Sequence, residues 1–217
     1  MTKYKGLALL SIFSATVAFA ISLMLKASVG VGAFDAMTQS LSILSGIKIG
    51  TLSMVVNLIC VAGQFIILKK DFGFNRFLQI PLSILIGMLV NYFYYTLFSS
   101  LSFDSYLLSL IVFCAALVLS TFSVSVVMVL DLVTFPIESV CLALTKVTPL
   151  QFSTLRQGVD ILCVVISLAL TFAFGLSSPV REGTIIGMII FGPLAGYFMA
   201  KVHPVLMKRG IVEEVGA

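Results

Sequence analysis

Arg156 and Asp160 stand one helical turn apart in Gln151-Phe152-Ser153-Thr154-Leu155-Arg156-Gln157-Gly158-Val159-Asp160, the opening of an otherwise apolar segment. Residues four apart on a helix share a face. The pair can therefore neutralise itself so that the helix inserts, or Arg156 can bind an anionic group while Asp160 holds the guanidinium in place. Two more acids, Asp35 and Glu138, fall near the starts of short segments flanked by apolar runs. There they can offset the partial positive charge of their own helix ends. Alternatively they face a cavity and bind a cation or a proton, because desolvation disfavours a charged carboxylate and lets a buried acid exchange its proton near neutral pH. Ionisable groups at membrane depth are costly to hold, so each is a candidate functional residue.

These residues are related by a repeat. At an offset of about 103 positions, Asp35 falls on Glu138, Leu41 on Leu144, Ser42 on Thr145, Thr51 on Thr154, Leu52 on Leu155 and Asn57 on Asp160. Asn57 thus stands where the second half has an acid, which makes the two halves chemically unequal. Asp35, Asn57, Glu138, Arg156 and Asp160 form the candidate substrate- or ion-binding set.

The chain around them is 217 residues long, 60% hydrophobic and only 10% charged. No soluble domain of that size has enough interior to hide so much apolar side chain. An integral membrane protein is expected, and the apolar runs are long enough for helices rather than barrel strands. The net charge of +4 does not point to nucleic acid, since most basic residues sit at short loops and termini. Lys3 and Lys5 before an apolar run, with Ala18-Phe19-Ala20 beyond, resemble a secretory signal. The run continues to Leu25, however, and further spans follow, so a retained helix is the expectation. Cys60, Cys114, Cys141 and Cys163 lie singly in apolar runs and read as buried small residues. His203, without partners, reads as interfacial. There is no nucleotide loop, no HExxH and no Ser/His/Asp set. Neither a cofactor, a metal site nor an enzyme activity is expected.

Six segments reach the about 20 residues a membrane helix needs: 6–26, 51–69, 77–99, 105–129, 152–175 and 183–203. Lys3, Lys5, Lys69, Lys70, Arg76, Lys146, Lys201, Lys208 and Arg209 fall on one side of this arrangement, and only Lys26, Lys48 and Arg181 on the other. Positive residues stay in the cytoplasm, so both termini are placed there. Three spans per half is an odd number. The expected fold is therefore an all-α membrane protein of two inverted three-helix repeats, residues 1–103 and 104–207, with a cytoplasmic tail at 208–217 that includes Glu213 and Glu214.

Each half also carries a short helix, 33–45 or 135–146, too short to cross. The first is amphipathic, with Phe34, Met37, Leu41 and Leu44 on one stripe and Asp35, Thr38, Gln39, Ser42 and Ser45 on the other. Gly30 and Gly32 precede it. The second opens on Thr134-Phe135-Pro136, where Thr134 reads as the cap and Pro136 as the first helical residue. Such segments can lie flat in the interface or dip in as broken, re-entrant helices surrounded by protein. The repeated acid near each start favours re-entrance. The last span opens with Val180-Arg181-Glu182-Gly183-Thr184, where Arg181 and Glu182 read as interfacial. Gly183, Gly187, Gly192 and Gly196 then permit close helix packing within the chain or in a homodimer. Pro193 should kink or soften this helix. Gly87 matches Gly187 at an offset of about 100, and Asn91-Tyr92-Phe93-Tyr94-Tyr95 reads as an aromatic belt.

Two of these stretches resemble elements of the YitT/YczE-type bacterial membrane proteins. Val29-Gly30-Val31-Gly32-Ala33-Phe34-Asp35 is similar to that family's GVGPWD-like element, with Ala33 for the usual proline and Phe34 for the usual tryptophan. Val180-Arg181-Glu182-Gly183-Thr184 is similar to its VREGT element. The resemblance implies a bacterial inner-membrane protein and marks Gly30, Gly32, Asp35, Arg181, Glu182, Gly183 and Thr184 as candidate positions. Its activity is not implied. The residues themselves point to a small secondary transporter for a polar or charged solute, coupled to a proton or sodium. A non-transporting accessory protein of the membrane is the alternative. The bilayer is the expected partner, the solute is open, and nucleic acid is not expected.

Overall fold

The computed structural model describes residues 2–212, apart from the side chains of residues 2, 3, 74 and 75. The expected tail with Glu213 and Glu214 lies outside the described residues. Those described form eight α-helices, with short 3-10 turns at Lys69–Asp71 and Phe74–Leu78: α1 (Thr2–Ala27), α2 (Ala33–Ser45), α3 (Ile49–Leu68), α4 (Gln79–Tyr92, continued by a π turn at Phe93–Leu97), α5 (Tyr106–Leu130), α6 (Pro136–Thr145), α7 (Phe152–Phe174) and α8 (Glu182–Lys208). Six are long and apolar enough to cross a membrane, and they match the expected spans to within a few residues. The two that are not, α2 and α6, occupy the places of the expected short helices.

Local chemistry explains most of the boundaries. Ser28, at φ 56°, breaks α1. Gly46, at φ 73°, stops α2 with its N–H on the Ser42 carbonyl. Gly175 closes α7 the same way, on Thr171. These are left-handed positions that glycine adopts without a Cβ clash. Pro136 opens α6, where its missing N–H costs nothing. Thr134 is not the cap: Phe135 holds that position without a side-chain bond, and the Thr134 hydroxyl bonds Ser139. Pro193 and Pro204 both lie inside a single continuous α8. Neighbouring groups in a membrane bundle can re-satisfy the carbonyls that proline frees.

The centre of the bundle is the α1–α5 pair, which meets α8 on one side, while α4 adds to α1 on the other. Ala18, Ala20, Ser14 and Ser22 of α1 and Ala116, Thr121, Ser123 and Ser125 of α5 are buried. Small side chains let backbones approach closely where lipid gives no hydrophobic drive. Their hydroxyls return to the chain, as when Ser125 donates to the carbonyls of Thr121 (2.7 Å) and Ala195 (3.2 Å).

The short helices do not extend the long ones. Each lies inside the bundle against both α3 and α7: α2 mainly on α7, and α6 mainly on α3. The short helix of each half thus rests on a long helix of the other half. Two polar contacts pin them. The Ser167 hydroxyl of α7 donates to Ala36 (3.2 Å) and lies 2.7 Å from the Ser40 hydroxyl, both on α2. Gln64 of α3 donates to the Pro136 carbonyl of α6 (3.2 Å).

Gln64 belongs to a larger buried set. Gln64 and Gln79 exchange amide hydrogen bonds (2.9 and 3.3 Å), Gln79 also donates to Ser139 (3.1 Å), and Arg76 donates to Gln64 Oε1 (3.1 Å). This set joins α3, α4 and α6 at one end of the bundle. Buried amides bonded in this way are costly to leave half-satisfied. Gln64→Leu removes the acceptor used by Gln79 and Arg76, and is expected to lower stability by about 1–3 kcal/mol. Gln64→Leu with Gln79→Leu should lose less than the sum of the two single changes. Thermal unfolding of the detergent-solubilised protein reads both.

At the other end, Asn91 accepts from the Gly50 N–H (2.9 Å) and donates to Thr51 (3.0 Å), while Tyr95 accepts from the Ile49 N–H (3.2 Å). Gly50 and Gly87 let α3 and α4 touch backbone to backbone: a Cβ on either would overlap the other's carbonyl. The expected aromatic belt therefore serves partly as a clasp on α3. Lys26 and Lys48 lie over the rings of Tyr94 (4.7 Å) and Tyr95 (5.6 Å), and Arg181 donates to the Ser28 carbonyl. The three basic residues separated from the others by sequence are thus gathered at one end.

Candidate functional site

Three helices bring charge together. Arg156 of α7 forms an ion pair with Asp160, one turn further along, and reaches Glu138 of α6, with Nε 3.4 Å from Oε1. Asp35 of α2 lies within electrostatic range of both Arg156 and Asp160. At 1.5 Å per residue, Arg156 is about 6 Å and Asp160 about 12 Å from the start of α7. The cluster therefore lies in the first half of α7.

Each group owes its place to its helix. Asp35 and Glu138 are in the first turns of α2 and α6, where unbonded N–H groups favour an acid. The Asp35 carboxylate lies over Gly32: a Cβ there would be 3.0 Å from Oδ2. Glu138 is 7% exposed, and its Oε2 is buried without a hydrogen-bond partner. Around it stand the buried Cys141 and the half-buried Cys60. All four cysteines are free, but only Cys141 and Cys163 are buried as expected; Cys60 is half-buried and Cys114, on α5, is exposed. Among the described residues no group of His, Cys, Asp or Glu could hold a metal ion. Asn57 is half-buried on α3, and no hydrogen bond ties it to the cluster. Its counterpart Asp160 is in the ion pair, so the two repeat positions are used unequally.

The residues from the two sequence motifs form a clasp of their own. Gly30, at φ 131°, lies against the start of α8, where a Cβ would overlap the Thr184 N–H and the Gly183 backbone. The Gly183 N–H donates to the Val29 carbonyl (2.8 Å), and the Val31 N–H donates to the Thr184 hydroxyl (3.2 Å). Gly183 also fits under Phe113, at 2.9 Å from an added Cβ. Arg181 is therefore more than an interfacial anchor, since it ties the loop before α2 to the cap of α8. Glu182 stays exposed. Gly187 packs near Leu117 of α5, whereas Gly192 and Gly196 are exposed and meet nothing within 4 Å. Only the first pair of α8 glycines is used for packing within the chain.

A cavity of about 160 Å³ opens beside this clasp, lined by Ser28, Gly30, Gln39, Ile43, Ser178 and Arg181 among others. Gln39 is one turn beyond Asp35, so both are on one face of α2. None of Asp35, Glu138, Arg156 and Asp160 lines the cavity itself. The Gln64–Gln79 set closes the opposite end of the bundle. Sequence reading placed Gln39 only on the polar stripe of the first short helix and did not single out Gln64, Gln79 or Ser167. Gln64 carried a usable signal, an amide inside an apolar span.

The six long apolar helices, with ionisable side chains held between them, define a multi-pass helical membrane protein. The chain belongs to a family of unknown function (DUF6198), whose match covers residues 4–200. No curated protein and no solved structure matches it.

Proposed function

We propose that the protein is a small secondary transporter or permease for a polar or charged solute, built from two inverted three-helix units. It would lie in a bacterial cytoplasmic membrane with both termini inside. The observation that carries this reading is the ion-paired set of Glu138, Arg156 and Asp160 between α6 and α7, with Asp35 of α2 within electrostatic range, a cavity towards one end and a polar lock towards the other. Alternating access requires a centre that opens to one side at a time, and Gln39 in the cavity wall, one turn from Asp35 on α2, marks the side from which it would open. The exchange of short helices supports the inverted repeat: Gln64 and Ser167, 103 positions apart, each bond the short helix of the other half. In this reading α2 and α6 are re-entrant helices, tolerated at depth because protein surrounds them. The likeness to YitT/YczE-type proteins belongs to the same reading and rests on Val29–Asp35 and Val180–Thr184, which meet in the clasp.

Uptake into proteoliposomes, measured with a panel of small metabolites, tests it. Wild-type protein should move at least one solute, and Asp35→Asn or Asp160→Asn should abolish that uptake while leaving the protein folded. If no solute moves, and both variants keep every cellular phenotype of the wild type, the transporter reading is wrong. One observation favours a membrane accessory protein instead: the exposed, unneighboured Gly192 and Gly196 of α8. That reading requires a stable partner in mild detergent, lost in Gly192→Leu.

A further inference from the structure

We infer that the charged centre binds a monovalent cation, held on the free oxygen of Glu138, Oε2, beside the Arg156–Asp160 pair. The inference deepens the transport reading and rests on it for the ion's role, but not for the binding itself.

The charge balance carries it. One guanidinium, that of Arg156, is paired with two carboxylates, those of Glu138 and Asp160. With all three ionised, one negative charge remains in excess. Arg156 is already engaged by Asp160 and by Glu138 Oε1, so an incoming anion would have to displace a carboxylate and sit among the others. A cation meets no such opposition. The second observation is Glu138 Oε2 itself. It is buried, receives no hydrogen bond, and belongs to a residue only 7% exposed. The nearby hydroxyls of Thr134 and Ser139 bond each other. An unpaired carboxylate oxygen in such a place is costly unless positive charge sits on it. The other titratable or charged groups around Glu138 are Arg156 and Asp160 of α7, Cys60 of α3 and Cys141 on α6 itself. The single excess negative charge balances a monovalent ion and not a divalent one, and among the described residues no group of three or more His, Cys, Asp or Glu could hold a metal ion. Two monovalent ions share the chemistry, a proton and Na+.

The full chain in detergent, melted across a NaCl series at fixed pH with choline replacement, and across pH at fixed Na+, separates them. One arm should raise the wild-type melting temperature by roughly 5 °C at saturation, and Glu138→Gln should flatten that arm. A response to Na+ assigns sodium, and a response to pH alone assigns a proton. A flat wild type in both arms, or a response kept by Glu138→Gln, overturns the inference. Should Glu138→Gln not fold, the wild type can be treated with an apolar carbodiimide and mapped by peptide mass spectrometry. Modification of Glu138 that falls as Na+ or pH rises supports the site, and a Glu138 unmodified under every condition overturns it. Cation binding without uptake of any solute would leave this site standing and remove the transport reading.

Discussion

Arg156→Gln is expected to be the most damaging single change in the charged centre. It should lower stability by about 3–5 kcal/mol, because it leaves the buried Glu138 and the half-buried Asp160 without their shared cation. Arg156 holds both acids from one guanidinium: Glu138 Oε1 lies 3.4 Å from Nε, and Asp160 accepts from the terminal nitrogen. Glu138 is already short of partners, with Oε2 unbonded. The loss should appear as little folded protein in a size-exclusion profile after detergent extraction. The cause can be separated from lost packing. Combining Arg156→Gln with Glu138→Gln and Asp160→Asn removes the unpaired charges and should recover much of the folded fraction. If the triple variant is no better than Arg156→Gln, the guanidinium stem rather than its charge is what stabilises the site. If Arg156→Gln behaves like the wild type, the two acids do not depend on it.

Gly30→Ala is the second change expected to have a large effect, although the residue carries no chemistry. Its φ of 131° is one that side-chain-bearing residues rarely adopt. A Cβ would also strike the Thr184 N–H and Gly183, where the neighbours are backbone and cannot rotate away. Strain of about 1–3 kcal/mol from the dihedral adds to about 1–3 kcal/mol from overpacking. The clasp between the loop before α2 and the start of α8 should open, and α2 carries Asp35. The expected result is a lower melting temperature together with weakened uptake or cation response. Gly46→Ala is the control: it also has a positive φ, but meets nothing within 4 Å. It should show the strain alone, so equal losses at the two positions would argue against the clasp.

The two motifs illustrate how far sequence reading reaches. Gly30 and Gly183 stand out by type and spacing, yet nothing local says that one lies against the other. They are 153 positions apart, and their contact depends on how α1 and α8 meet α5. The same holds for the acids. Asp35 and Glu138 could be matched through the repeat, and Arg156 with Asp160 through helical spacing. That Glu138, and not Asn57, joins the pair follows from α6 resting on both α3 and α7. Gln64 and Gln79 were legible only as polar residues in or beside apolar spans. Their mutual bonding needs α3 and α4 to be brought side by side. Thr134 shows a different failure, a sound local rule for helix capping displaced by another local contact, with Ser139 five positions on in α6.

By itself, the sequence determined the six spans, the two short helices and the residues that end them. Those are set by apolar length, by proline and glycine geometry and by hydrogen bonds within a few positions. Only the tertiary structure decided which helix each short segment rests on, which polar groups are paired, and which carboxylate oxygen is left free. In lipid, apolar faces do not choose their neighbours by hydrophobicity. The choice falls to close packing of small residues and to scattered polar contacts between distant parts of the chain, and no local pattern encodes either.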